Sequence, residues 1–336
     1  MSRRISFALG ALLALALLPV AADAATTPAK LRVLTPQQVL DPGTTYYVPN
    51  DISVPTTPEA DCFGPPGGSG AEATFDSPNA LSLLASAARA DKNVSPLALT
   101  DQFGFGLGIC GIGGQESTSG ENFWYFKVNH EESSLGADQV DLKKGDEVLF
   151  YLAPDDFPNP NPAELELKAP AGVKAGAPFS VSVVEHTCVT DQNTFETTCG
   201  SAPADGVTVS GGDQDATTGA DGTATVSVKD VGVATLTATR GTDIPSEALD
   251  TCVGPESNSC PKERGERIVG SPEGDKIKGT SGLDVIRSRG GDDVIDARKG
   301  GADTINCGAG KDTVQIKRAT AGDAIVIKGN CEKVKH

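Results

Sequence analysis

The sequence predicts a mostly β, multidomain chain, and three observations carry that reading. Gly supplies 39 of 336 residues and Pro 22, while aromatics make up 5%; such a composition favours short strands and turns over long helices. Asp recurs at steps of 9, 9, 10 and 9 residues from Asp275 to Asp312, an internal repeat. The charge is also divided: from Pro261 onward there are 15 basic and 12 acidic residues, leaving 13 and 33 in the part before it. An acidic front and a mildly basic tail indicate separate modules.

The chain opens with Arg3 and Arg4, an apolar run at 7–20 and the small residues Ala21-Ala22-Asp23-Ala24. That order predicts a cleaved secretory signal over 1–24, because the run falls short of the roughly 20 apolar residues of a spanning helix. No later segment reads as a membrane span, so the expected location is secreted, extracellular or associated with the cell surface. Four prolines within 154–162 form a stiff linker, and a polar stretch at 241–267 forms a second break. Domains are therefore expected at 25–155, 164–253 and 266–336.

In the first of these, Ser77-Pro78 reads as a helix start leading through Ala80-Leu81 to Arg89. Trp124, Phe126 and Val128 fall on one face of a strand, Asn129-His130 and Lys144-Gly145-Asp146 read as turns, and 148–152 is a buried-strand run. These residues resemble a β-grasp-like family of unknown function related to the C-terminal domain of transcobalamin. The resemblance implies an α+β domain. It also implies a small-molecule, corrinoid-like ligand stacked on Phe123, Trp124, Tyr125 and Phe126, with His130 beside them. The plainer reading of the same residues is that alternate aromatics fill a core and His130 occupies a turn.

The second domain reads as an all-β sandwich with strands near 165–168, 179–184, 207–209, 224–228 and 234–238. Gly176-Ala177-Pro178-Phe179, Thr218-Gly219-Ala220-Asp221-Gly222 and Gly232-Val233-Ala234-Thr235-Leu236 resemble bacterial immunoglobulin-like domains. Asp213, Asp215 and Asp221 lack the Gly of an EF-hand, since Thr218 holds its place; they read as solvated turn residues.

The repeat in the third domain carries the chemistry. Two residues after Asp275, Asp284, Asp293, Asp303 and Asp312 stand Ile277, Ile286, Ile295, Ile305 and Val314. Two residues before the last four stands Gly: Gly282, Gly291, Gly301 and Gly310. The pattern is similar to the RTX, or haemolysin-type, calcium-binding nonapeptide, which implies a parallel β-roll and calcium as the bound ion. Gly permits the tight turns, the aliphatic residue stacks inward, and the Asp offers oxygen to a hard cation. Carried over from the family, Asp275, Asp293 and Asp312 line one side of the roll, and Asp284 and Asp303 the other. The paired glycines that open each family repeat are replaced by Gly270-Ser271, Gly279-Thr280, Ser288-Arg289, Arg298-Lys299 and Cys307-Gly308. Arg and Lys there would repel a cation, and the 10-residue step places an extra residue near Ala297. A metal-free roll held by its aliphatic ladder is the alternative. Residues 324–327 read as a capping strand.

Eight Cys suit an oxidising compartment. Proximity suggests Cys62–Cys110, Cys188–Cys199, Cys252–Cys260 and Cys307–Cys331, with Cys188 or Cys199 joined to Cys252 as the rival. A net charge of -17 argues against nucleic acid as a partner. One Met and three His leave little for a haem pocket or a polyhistidine metal site. No G-x-S-x-G or H-E-x-x-H motif is present, so the expectation is a non-enzymatic protein that binds calcium and presents recognition domains to an extracellular ligand of unknown identity. The alternatives are a corrinoid-like carrier and an extracellular hydrolase without a recognisable motif.

Overall fold

Alternation along the first strands decides what packs where. The computed structural model describes residues 26–336 apart from 105, 156–160, 192, 195 and 318–324. The expected signal, 1–24, lies outside the described residues, as does the middle of the proline linker. In β1 (Thr26–Leu34), Ala29, Leu31 and Val33 point to one side and Lys30 and Arg32 to the other. β1 pairs antiparallel with β2 (Val39–Pro49). A hairpin of β3 (Ile52–Pro55) and β4 (Glu72–Phe75) leads into α1 (Ala80–Ala90). The helix starts later than Ser77-Pro78 suggests, because Asn79 caps it. The Asn79 side chain accepts from the Ser82 amide at 2.8 Å, and the Ser82 hydroxyl accepts from the Asn79 amide at 2.7 Å.

A small sheet of β5 (Leu97–Thr100), β6 (Gly108–Ile112) and β7 (Gln115–Glu116) follows. β8 (Asn122–Val128) turns through Asn129-His130 into β9 (Glu131–Glu132), and β10 (Glu147–Pro154) pairs with both β8 and β1. Trp124, Phe126, Val148 and Phe150 join Leu31, Val33 and the helix residues Leu81 and Leu84 in one core. The reverse face of the same sheet buries Leu34, Leu149, Tyr151 and Ala153 against Ile244 of the sandwich. Burial on both faces explains why 148–152 is apolar without alternation.

The sandwich has two sheets. One comprises β11 (Glu164–Lys168), β13 (Phe179–Thr190), β14 (Thr197–Pro203) and β17 (Thr223–Val226), in which β12 (Gly172–Lys174), β15 (Thr208–Ser210) and β16 (Ala216–Thr217) take no part. Those three join β18 (Gly232–Thr239) and β19 (Leu249–Gly254) in the other sheet. Leu165, Val181, Val183, Val209 and Leu236 fill the space between. β19 falls within the stretch read from the sequence as a polar break. Its Thr251 and Val253 are buried while it pairs with β18 and β12, so a short half-buried strand was hidden by polar neighbours.

The last domain is a parallel roll. β20 (Arg267–Val269), β22 (Val285–Arg287), β24 (Thr304–Asn306) and β26 (Val326–Lys328) form one ladder. The alternate strands β21 (Lys276–Lys278), β23 (Val294–Ala297), β25 (Thr313–Ile316) and β27 (Lys333–Lys335) form the other. Ile268, Ile277, Ile286, Ile295, Ile305 and Val314 stack between them. Ala297, within the 10-residue step, is buried in this core. The four disulfides are Cys62–Cys110, Cys188–Cys199, Cys252–Cys260 and Cys307–Cys331.

The three segments are less separate than their sequences suggest. β20 pairs parallel with β2, Thr44 opposite Arg267 and Tyr46 opposite Val269. One ladder of the roll thereby continues the first domain's sheet, in the order β26-β24-β22-β20-β2-β1-β10-β8-β9. Tyr47 packs against the roll core and donates to the Lys276 carbonyl at 3.2 Å. Replacing Ile295 by Ala opens a cavity mid-stack and is expected to cost about 2–5 kcal/mol, read as a lower urea midpoint. Leu283→Ala, at an exposed position of the same roll, should leave that midpoint in place.

Candidate functional site

Each repeat Asp stands between a turn and a strand, and all five are at most 2% exposed. Their carboxylates form two ladders. On one side Asp293 Oδ1 accepts the Asp275 amide at 2.8 Å, Asp312 Oδ1 the Asp293 amide at 2.9 Å, and Glu332 Oε2 the Asp312 amide at 2.7 Å. On the other, Asp303 Oδ1 accepts the Asp284 amide at 3.0 Å and Asp284 Oδ1 the Glu266 amide at 2.8 Å. Thr26 of β1 closes the first ladder by donating to Asp275 Oδ1 at 2.8 Å.

The second carboxylate oxygen separates the repeats. Asp275 Oδ2 accepts the Ser271 amide at 2.6 Å, and Asp284 Oδ2 the Thr280 amide at 2.7 Å. The corresponding positions before Asp293 and Asp312 are Arg289 and Gly308, whose φ values are +75° and +80°. Oδ2 of Asp293 and of Asp312 is buried with no hydrogen-bond partner. The Ser288 hydroxyl lies near Asp293 but donates to the Cys307 carbonyl at 2.6 Å. Burial pushes the carboxyls of Asp275, Asp284 and Asp312 above the usual range and Asp293 up to about 7. A buried carboxylate lacking a donor is costly unless a proton or a cation neutralises it.

The turns stack backbone against backbone. A Cβ at Gly310 would overlap the Gly291 carbonyl, and one at Gly301 the Gly282 carbonyl, so only glycine fits there. The basic residues that occupy glycine places are mostly turned to other partners. Arg298 binds Asp296 at 2.8 and 2.7 Å, and Lys299 binds Glu263 at 3.2 and 3.0 Å. Arg289 stays half-buried, and its charge acts on Asp275.

A second polar centre lies where the sandwich meets the first domain. In β11, Leu165 and Leu167 enter the sandwich core, so Glu164 and Glu166 take the opposite face, and His186 of β13 stands across from Glu164. The β8–β9 hairpin brings His130 to them. Glu164 is 2% exposed, its Oε1 3.1 Å from His130 Nδ1 and 3.4 Å from Arg32 Nη1, and its Oε2 has no hydrogen-bond partner. Burial pushes this carboxyl up, but His130, Arg32 and Lys127 together hold it below the usual range. His130 is raised by Glu164 against the opposing effect of burial; His186 is lowered by burial and by His130. The two imidazoles stack at 3.9 Å with 6° between planes, and His186 Nε2 lies 3.2 Å from Glu166 Oε2. A cleft of about 270 Å³ opens beside them, lined in part by Arg32, His130, Glu164, Glu166, Lys168 and Arg264.

Residues 99–153 match a protein family described as "Domain of unknown function (DUF4430)". No curated protein and no solved structure matches the chain. The matched segment runs from within β5 to within β10 and so includes the hairpin that carries His130. Its aromatic strand is occupied internally: Trp124 lies in the core and donates to the Gln115 carbonyl at 3.0 Å, Tyr125 stacks on Tyr151, and Phe126 on Phe150.

The sequence predicts His130 in a turn, where it is, but carries no local signal that singles out Glu164, Glu166, His186 or Glu332. The alternation Glu-Leu-Glu-Leu-Lys at 164–168 put the two carboxylates on one face; which surface would cover that face was not written locally. Replacing Glu164 by Gln leaves the half-buried Arg32 without its anion and is expected to cost about 3 kcal/mol, measured by chemical denaturation. The His130 imidazole titration, followed by NMR, should move to lower pH in the same variant.

Proposed function

We propose that this is a secreted, modular, non-enzymatic protein whose C-terminal roll binds calcium through turns of the RTX type. One observation carries the reading: within a parallel roll of nine-residue turns, Asp293 and Asp312 follow one another on the same ladder, each with a buried carboxylate oxygen that no donor reaches. Carboxylate and turn-carbonyl oxygens are the ligands a hard divalent cation takes. Asp275, Asp284, Asp293, Asp303 and Asp312 form the ligand-bearing set. Backbone amides already serve both oxygens of Asp284, and the Ser271 amide and Thr26 hydroxyl serve those of Asp275, so the later repeats are the stronger candidates.

In this reading the ion neutralises acidic groups that the roll buries in its own backbone, and the ordered roll then fixes β20 beside β2. Affinities of about 10⁻⁴–10⁻³ M are usual for extracellular calcium modules. Four disulfides are compatible with such a location, and no helix among the described residues is long and apolar enough to cross a membrane. The first domain and the sandwich, which carry the acidic excess, would present surfaces to an extracellular ligand. A corrinoid-like carrier would need the aromatics of β8, which pack within the chain.

Calcium titration of the full secreted chain by calorimetry, with far-UV circular dichroism in parallel, tests this. Saturable heat and a higher unfolding temperature are expected, and Asp293→Ala should weaken binding most, since Asp293 is the middle rung between Asp275 and Asp312. A flat titration with the β signal already complete would leave a metal-free scaffold.

A further inference from the structure

The chain has three His in 336 residues, and the fold brings two of them, from different domains, into ring contact. Glu166 completes a trio: one ring nitrogen from each of His130 and His186 and a Glu166 oxygen lie within 4.8 Å of one another. An imidazole binds an ion in its own plane, and these rings stack 6° from parallel, so His186 turns out of the stack to share one. We propose that His130, Glu166 and His186 form a divalent transition-metal site of the zinc class, which clips the first domain to the sandwich.

The donor chemistry distinguishes this site from the roll. Two imidazoles and one carboxylate suit zinc and its borderline neighbours, whereas calcium takes oxygen alone. Glu164 supplies the outer support such sites use. Metal-binding imidazoles usually offer their second nitrogen to a carboxylate, which orients the ring and raises its basicity. Here the buried Glu164 carboxylate lies 3.1 Å from His130 Nδ1, and in this proposal Nε2 is the nitrogen offered to the ion. Glu164 Oε2 is an additional buried oxygen without a partner at the same place.

The hairpin is shaped to deliver His130. Asn129 and His130 have φ of +51° and +70°, a two-residue turn in which the second place favours Gly. A side chain in this region costs about 1–2 kcal/mol. Asn129 holds the turn in place, donating to Asp146 Oδ1 at 3.0 Å and accepting from the Glu147 amide at 3.0 Å. The cleft lined by His130 and Glu166 leaves room for water or an anionic group on the ion's open side.

The test uses the full secreted chain, prepared without a polyhistidine tag, stripped of metal and kept in saturating calcium. Zinc is titrated by calorimetry, and cobalt(II) is added separately to read its visible absorption. Expected are one zinc per chain, the intense absorption of a four-coordinate cobalt site, and a rise in unfolding temperature. Glu166→Gln and His186→Ala should each weaken zinc by at least about tenfold, while His336→Ala leaves it unchanged. No saturable zinc heat, or zinc affinity retained in both Glu166→Gln and His186→Ala, overturns the proposal. Should His186→Ala fail to fold, the wild-type cobalt spectrum decides: no four-coordinate band, no site.

Discussion

The parallel pairing of β2 with β20 is the constraint on which the rest of the architecture depends. A sheet edge left open is an invitation to association, and β2 would be such an edge once β1 has taken its other side. More than 200 residues separate the paired strands, Tyr46 from Val269 among them, so the pairing must offset a large closure entropy. The conformation of β2 is prepared for it. Asp41, wholly buried, accepts the Tyr46 hydroxyl at 2.7 Å and the Gly43 and Thr44 amides at 3.0 and 2.9 Å. That cluster fixes the strand where its register with β1 shifts, immediately before the three residues that meet β20.

What could be read from the sequence follows from which interactions are local. The roll was legible because each turn repeats its own instructions: glycine where backbones touch, Asp before the strand, an aliphatic residue in its middle. The disulfides were legible by proximity, and Trp124-Phe126-Val128 by alternation. The β1 and β2 strands were not found, although Leu31 and Val33 are buried in β1, because Thr, Pro and Lys interrupt their apolar pattern. Nor could the docking of the sandwich be foreseen. Lys30, Arg32, Lys127, Glu164 and His130 have no local sequence signal of a shared site, and they become a half-buried polar seam only when two distant faces meet.

The chain solves one electrostatic problem in three ways. Its net charge is -17, and it buries several of its acidic groups. Glu164 is balanced by nearby cations, Arg32, His130 and Lys127. Asp41, Asp275 and Asp284 are held by backbone amides and hydroxyls. Asp293 and Asp312 each accept one hydrogen bond, from the amide of a neighbouring rung, on Oδ1 alone. The difference traces to the residue four before each Asp: Ser271 and Thr280 direct an amide inward, whereas Arg289 and Gly308 adopt the left-handed conformation. At Arg289 that conformation is kept although the side chain opposes it, so the turn shape is imposed by the stack and not by the residue.

The ladder also supplies a route between modules. Hydrogen bonds run from Glu332 to Asp312, Asp293 and Asp275 and end on Thr26 of β1. Each rung joins a carboxylate to the amide of the next Asp, so withdrawing charge at one oxygen alters the hydrogen bond its neighbour makes. The same turns set the spacing of Ile268, Ile286 and Ile305, whose strands extend the sheet through β20 into β2. Order in the roll and order at the first domain's edge are therefore one property of a single sheet, and a ligand that favours the ordered turns favours the closed edge by the same differential affinity.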